Sequence, residues 1–282
     1  MEITHEYEGM GRLYTEARKG TPAFAEFMIK NLGLEQAVSS DRPLLLVEFG
    51  AGSGQQTKLV EDELKKRGIG YYTLLALDKS YGLSPKGEPR QLDVLKDRIE
   101  AGEITTRVIP FPYDVDRELP FPSNSTDLAY FAFVIHHLKN RPGFFNEVSR
   151  ISRNGSRFFS FDAALEDLVG HPLDEFFPEK FEYDSRRYPT REQIKSLFEN
   201  AGFEYQQRQL ILRDSEKPVD DRFLESVMNK TINSVLVMIE KENPIAYQEG
   251  VERVMKAVEE GRARGHYRIF SIKRAIDWGI KR

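Results

Sequence analysis

Three glycines in five positions, Gly50, Gly52 and Gly54, stand between the apolar run at 44–49 and a polar segment of helical spacing at 55–68. Glycine loses more chain freedom on folding than any other residue, so three of them at one strand end need a reason. Without a Cβ, backbone can take left-handed torsions and approach a ligand closely. A helix that opens just behind offers N–H groups and the positive end of its dipole to an anionic group. A tight strand-to-helix connection without a ligand would need only one glycine, so the stretch reads as a ligand-binding turn. Its spacing is G-x-G-x-G. The dinucleotide fingerprint G-x-G-x-x-G would put its third glycine at position 55, which is Gln55. A phosphate-binding P-loop needs a following Gly-Lys-Ser/Thr, and none follows.

The adjacent pair His136-His137 is the other stretch with reactive side chains. A histidine near a reacting atom takes a proton from an attacking oxygen or nitrogen. A plainer part is favoured for both, as packing and capping residues of a turn. His136 is then the weak candidate for a catalytic group. The five histidines show no metal-binding spacing, and no G-x-S-x-G nucleophile turn occurs.

The elements that must position these residues alternate. Apolar strand-length runs at 44–49, 71–78, 104–111, 128–135 and 157–162 are separated by helical patterns at 55–68, 91–102 and 141–152. Strand, helix, strand in repetition predicts parallel crossovers in an open α/β sheet. In such sheets ligands sit beyond the carboxyl ends of the strands, so the strand-ending residues carry the function. Thr21-Pro22 reads as an N-cap and first turn opening a helix that ends near Gly33. Residues 163–189 read as irregular and aromatic-rich, with Phe176, Phe177, Phe181, Tyr183 and Tyr188 as an acceptor wall or as a cover for the sheet edge. A helix at 191–202 and a strand at 203–212 follow. Two long amphipathic helices are expected at 220–242 and 244–265, and a closing strand at 266–276.

Bulk properties narrow the classes. With 40% hydrophobic residues, 282 residues can bury a large core. A net charge of −4 argues against a nucleic-acid binder. The absence of cysteine excludes disulfides, thiolate metal sites and cysteine nucleophiles, and suits a reducing compartment. No signal pattern and no membrane-spanning run is seen, so a cytoplasmic protein without membrane insertion is expected.

On these elements six stretches occur in a fixed order. They are EFGAGSG (48–54), Asp78 at the end of the second strand, YDV (113–115) after the third, and LPFPSNSTDLAYFAFVIHHL (119–138) along the fourth. EVSRISRNGSRFFSFD (147–162) then leads into the fifth strand and AGFEY (201–205) into the sixth. Over residues 10 to 215 they resemble the class I S-adenosylmethionine-dependent methyltransferases. GRLYTEARKGTP (11–22) is similar to the lid of the small-molecule branch, of ubiquinone and trans-aconitate type. The resemblance implies an α/β, Rossmann-like sheet of seven mostly parallel strands with helices on both faces. It implies a lid over residues 1–40, a cofactor-binding core at 41–215, a helical insertion at 216–265 and a closing strand at 266–282. The insertion would cover the acceptor or form a homodimer surface.

The resemblance further implies S-adenosylmethionine as cofactor. Glu48, Gly50, Gly52 and Gly54 would form its turn, with Asp78 on the ribose hydroxyls and Asp114 on the adenine amino group. Val115, Phe131, Tyr14 and Arg18 would complete the site, with no metal. Asn154-Gly155 departs from the family's Pro-Gly-Gly, Thr126-Asp127 from Phe-Asp, and Phe131 stands where smaller residues are common. The expected function is methyl transfer to a small-molecule acceptor by direct in-line displacement, catalysed mainly by positioning. The alternatives are a tRNA or protein methyltransferase, and a non-catalytic S-adenosylmethionine-binding regulatory or partner protein.

Overall fold

The computed structural model describes residues 20–32, 42–83, 87, 89–211, 217–230, 235–265, 269–270 and 273–282. Tyr14, Arg18 and Gly33 lie outside them. The main sheet has seven strands: β1 (Leu44–Phe49), β2 (Tyr72–Asp78), β3 (Val108–Pro112), β4 (Thr126–Ala132), β5 (Ser152–Asp162), β6 (Phe203–Ile211) and β7 (Lys273–Lys281). Their order is β3-β2-β1-β4-β5-β7-β6. The strands from β3 to β5 pair in parallel, and β7 joins β5 antiparallel. The strand order reverses between β1 and β4, and such a reversal opens a crevice at the carboxyl ends of the strands.

Helices α1 (Pro22–Lys30), α2 (Gln55–Lys66), α3 (Gln91–Glu100) and α4 (Arg141–Ile151) belong to the sheet unit. Strand alternation assigns them to faces. Phe159 and Phe161 of β5 meet Phe27 and Phe24 of α1, at ring distances of 6.3 and 5.0 Å. Phe158, one residue before Phe159, points the other way, 5.2 Å from Phe145 of α4. The period of two thus buries both faces of the strand's second half, which is why three phenylalanines crowd residues 158–161 of β5. Each ring so buried contributes roughly 1.5–3 kcal/mol.

Several boundaries differ from the sequence reading. The run 128–135 stops as a strand at Ala132, because Phe133 turns to φ +61°. A short 3-10 turn, Ile135–His137, follows. The closing strand lies at Lys273–Lys281, several residues later than expected. Its polar residues hid it: Asp277 is buried there, accepting from the Tyr205 hydroxyl at 2.7 Å.

The described residues within 163–191 and 209–274 make a second unit. Residues 163–189 are not irregular. They form the short helices α5 (Leu165–Leu168), α6 (Pro172–Phe176) and α7 (Lys180–Arg187), ahead of α8 (Arg191–Asn200). Phe176, Phe177 and Tyr183 are buried in one apolar cluster with Phe223, Val227, Leu236, Ile239 and Tyr247. The last five come from α9 (Asp221–Met228), α10 (Val235–Glu242) and α11 (Pro244–Arg264). Those rings therefore form the core of a helical unit. Gly250 of α11 shows how tight the packing is, since a Cβ there would fall 2.1 Å from Phe177 Cε1.

Candidate cofactor site

The glycine turn links β1 to α2, and all three glycines are left-handed: Gly50 at φ +68°, Gly52 at +55° and Gly54 at +78°. Side-chain-bearing residues rarely adopt these torsions, which is one reason for glycine at all three positions. Space is the second reason. A Cβ would lie 2.5 Å from Val134 Cγ2 at Gly50, 2.6 Å from Gln91 Oε1 at Gly52 and 2.5 Å from Leu95 Cδ1 at Gly54. The turn is thus wedged between α3 and the loop after β4. Arg98 of α3 adds a hydrogen bond to the Ser53 carbonyl at 2.9 Å.

Most of the turn's amides are already engaged. Gly50 and Ala51 donate to the Leu77 carbonyl at 2.8 and 3.0 Å, and Gly54 donates to the Ala51 carbonyl at 3.0 Å. Gly52 donates to Asp78 Oδ2 at 2.8 Å. The glycines therefore contribute shape and close approach more than hydrogen-bond donors. Gly20 and Thr21 close over the first turn of α2. The Thr21 amide donates to Gln56 Oε1 at 2.9 Å, and a Cβ on Gly20 would meet Gln55 O at 2.9 Å.

Two carboxylates end adjacent strands beside the turn. Asp78 closes β2, with Oδ2 held by Gly52 and Oδ1 accepting from the Ser80 amide at 2.7 Å. Burial raises its proton affinity, and the two backbone donors work against that. Each oxygen keeps a lone pair for an incoming hydroxyl. Asp114 follows β3, its Oδ1 accepting from the Asp116 amide at 3.2 Å, and the Tyr113 amide donates to the Asp78 carbonyl at 3.0 Å. Asp116, which the sequence reading passed over, accepts from the Lys139 amide at 2.8 Å and ties the loop after β3 to the one after β4. A Cβ-free cradle flanked by two strand-ending carboxylates fits an adenosyl group. Gly50, Gly52 and Gly54 would line it and Asp78 and Asp114 would meet its polar edges, with Val115 half-buried beside Asp114.

Glu48 stands differently from the reading that made it part of the binding surface. It is 2% exposed, and its Oε2 accepts from Thr57 Oγ1 at 2.7 Å and from the Tyr130 hydroxyl at 2.8 Å. Its effect on a ligand is therefore indirect. Burial pushes its carboxyl up to about 7, against an ordinary 4.5. A raised carboxyl favours the folded state fully below its unfolded value, and that stability is lost as pH rises through the folded value. The loss amounts to about 3 kcal/mol between pH 4.5 and 7. Glu48→Gln mimics the neutral acid. Its melting temperature relative to the wild type is expected to rise across that window. Parallel thermal-melt curves of the two proteins would contradict the buried carboxyl.

Phe131 is corrected to a packing residue. Its ring is fully buried on the α4 face, 6.1 Å from Phe144 and 5.6 Å from Phe158. Phe133, two residues on, ends the strand instead. Its left-handed φ of +61° is uncommon for an aromatic residue, and its ring sits 5.3 Å from Phe161.

His136 follows in the 3-10 turn. It is buried, with Nδ1 3.5 Å from Asp162 Oδ1, and its ring lies 4.0 Å from that of His137. Asp162 ends β5 and is fixed by the Ile135 amide, which donates to its Oδ2 at 2.9 Å. Arg141 Nε donates to the Ile135 carbonyl at 3.0 Å. Asp162 was legible by the same strand-end rule that found Asp78.

Residues 47–160 match the family model described as "Methyltransferase domain". No curated protein matches the chain in sequence. Among solved structures it is similar to an Anabaena variabilis protein from an antibiotic biosynthesis pathway, at 17% identity and a TM-score of 0.62. That likeness covers 93% of this chain and 98% of the other. The YcgJ protein from Bacillus subtilis is similar at 19% identity and a TM-score of 0.55, covering 90% of this chain and 99% of that one. A Haemonchus contortus phosphoethanolamine N-methyltransferase, in complex with phosphomonomethylethanolamine and S-adenosylhomocysteine, is similar at 18% identity and a TM-score of 0.52. It is matched over 92% of this chain and 52% of its own. Residues 47–160 thus match a methyltransferase domain, and the chain shares the fold of these solved structures.

Proposed function

We propose that the protein transfers a methyl group from S-adenosylmethionine to a small-molecule acceptor by direct in-line displacement. The observation that carries the reading is the wedged, left-handed glycine turn between strand-ending carboxylates at the switch point of the sheet. The cofactor supplies an already activated methyl group. The chain's residues have mainly to bind, orient and exclude water. Gly50, Gly52 and Gly54 admit the ligand, Asp78 and Asp114 orient its ribose and adenine edges, and the engaged amides keep the turn rigid. Small acceptors are supported by the acceptors of structural neighbours, phosphomonomethylethanolamine and geranyl diphosphate. A net charge of −4 also gives nucleic acid no general attraction. No helix among the described residues is long and apolar enough to cross a membrane, and a cytoplasmic site of action suits the cysteine-free chain.

His136 is the residue assigned to take the acceptor's proton. Asp162, 3.5 Å away, orients the ring and stabilises its charged form. His136→Gln is expected to slow methyl transfer by roughly 100- to 10,000-fold while leaving S-adenosylmethionine affinity within about threefold. A screen of small hydroxyl, amine and carboxylate compounds, read by S-adenosylhomocysteine release, tests the function. Turnover on such compounds supports it. Tight cofactor binding with release only on transfer RNA or protein would replace it.

A further inference from the structure

Glu48, Tyr130 and Asp78 share one face of the sheet. Glu48 of β1 is in register with Tyr130 of β4 and with Ala76 of β2, and Asp78 lies two residues beyond Ala76. Tyr130 is wholly buried and donates to Glu48 at 2.8 Å, and Thr57 of α2 donates to the same oxygen at 2.7 Å. One carboxylate oxygen thus joins two strands to the first turn of the helix that the glycine turn opens. A buried acid serving only as a cross-brace is costly, because burial disfavours its charged form and a neutral amide would brace as well.

We propose that Glu48 and Tyr130 are a positioning pair that makes the cofactor site prefer a cationic ligand: Tyr130 and Thr57 fix the carboxylate, and its charge favours the sulfonium of S-adenosylmethionine over the neutral thioether of S-adenosylhomocysteine. The inference rests on the cofactor reading above. The two ligands differ by one positive charge at sulfur and are otherwise nearly the same shape. A charge-selective site therefore acts on the step where product must leave and substrate enter. Asp78 stands on the adjacent strand, two residues beyond the register partner of Glu48 and on the same face, which puts the two roughly 8 Å apart along the sheet. A ligand held by Asp78 and by the turn that begins two residues after Glu48 is then within the same electrostatic range. In a buried setting, one such charge pair is worth about a tenfold change in affinity.

The groups facing this carboxylate are few. Asp78 opposes its ionisation from β2, while Tyr130 from β4 and Thr57 from α2 favour it. Tyr130 in turn feels Glu61 of α2 and Tyr72 of β2 through their charge. Folding leaves Glu48 divided between its two forms near neutral pH, with its midpoint at about 7. A cation that binds the ionised form better must then gain affinity as the carboxyl loses its proton.

The test is calorimetric titration of the full chain with S-adenosylmethionine and, separately, S-adenosylhomocysteine, between pH 5.5 and 8. Wild type, Glu48→Gln and Tyr130→Phe are compared. The ligands' own amine titration is common to all three proteins and cancels between them. Relative to Glu48→Gln, the wild type is expected to gain about tenfold in preference for S-adenosylmethionine across that range. Tyr130→Phe removes a donor to the carboxylate and is expected to move the midpoint up by about one pH unit. A merely structural tyrosine would weaken both ligands equally at every pH and leave the midpoint in place. A preference that follows Glu48→Gln at every pH, or an unmoved midpoint in Tyr130→Phe, overturns the inference alone. Failure of the wild type to bind either ligand overturns the cofactor reading, and the inference with it.

Discussion

Gly52→Val is expected to weaken S-adenosylmethionine binding by at least about 100-fold, roughly 2.7 kcal/mol, in a protein that still folds. Two effects combine. At φ +55° a β-branched residue is strained, which costs about 1–2 kcal/mol and lowers the melting temperature by a few degrees. The new side chain also enters the space in which ligand and backbone must approach. Its Cβ would start 2.6 Å from Gln91 Oε1, the far end of a flexible side chain. That clash can be relieved, so Gly52→Val combined with Gln91→Ala should recover part of the stability. Binding should stay lost, because the strain and the filled cradle remain. Recovery of binding in the double variant would mean that the turn tolerates a side chain and that the ligand lies elsewhere.

Phe131→Ala is expected to cost about 3–5 kcal/mol, the range for emptying a buried aromatic site. The ring is fully buried, with Phe144, Phe145 and Phe158 within 6.5 Å, ring to ring. Phe131→Leu keeps most of the volume and should cost under half as much. Denaturant unfolding measures both. The decisive companion is the S-adenosylmethionine affinity of Phe131→Leu, which should match the wild type within about threefold, well under 1 kcal/mol. A Phe131→Leu protein that is stable but binds tenfold more weakly would return Phe131 to the binding site.

The parts of the fold that were legible in the sequence are those where one signal dominates. β1, β2 and the second half of β5 are largely buried on both faces and read as mainly apolar runs. The glycine turn reads plainly because three left-handed torsions leave no other residue comfortable. Legibility fails where tertiary context decides. β7 carries Lys273, Arg274 and Asp277, and is a strand because β5 offers it an antiparallel edge. The helices of 163–189 are only four to eight residues long, and α6 and α7 hold their shape through the cluster they share with distant segments. Phe131 and Phe133 are alike in type and two apart, and only the fold distinguishes the core ring from the strand-ending one. Glu48 was recognised as an acid before the turn, but its direction could not be read. Alternation sets its face, and only Thr57 and Tyr130, 9 and 82 residues away, show that the carboxylate points inward.

The central claim is that the turn from Gly50 to Gly54 holds S-adenosylmethionine. Calorimetric titration of the purified chain with S-adenosylmethionine, and with NADH as control, tests it directly. One equivalent of S-adenosylmethionine bound, with no heat from NADH, is the predicted result. Heat from NADH alone, or from neither ligand, would contradict it.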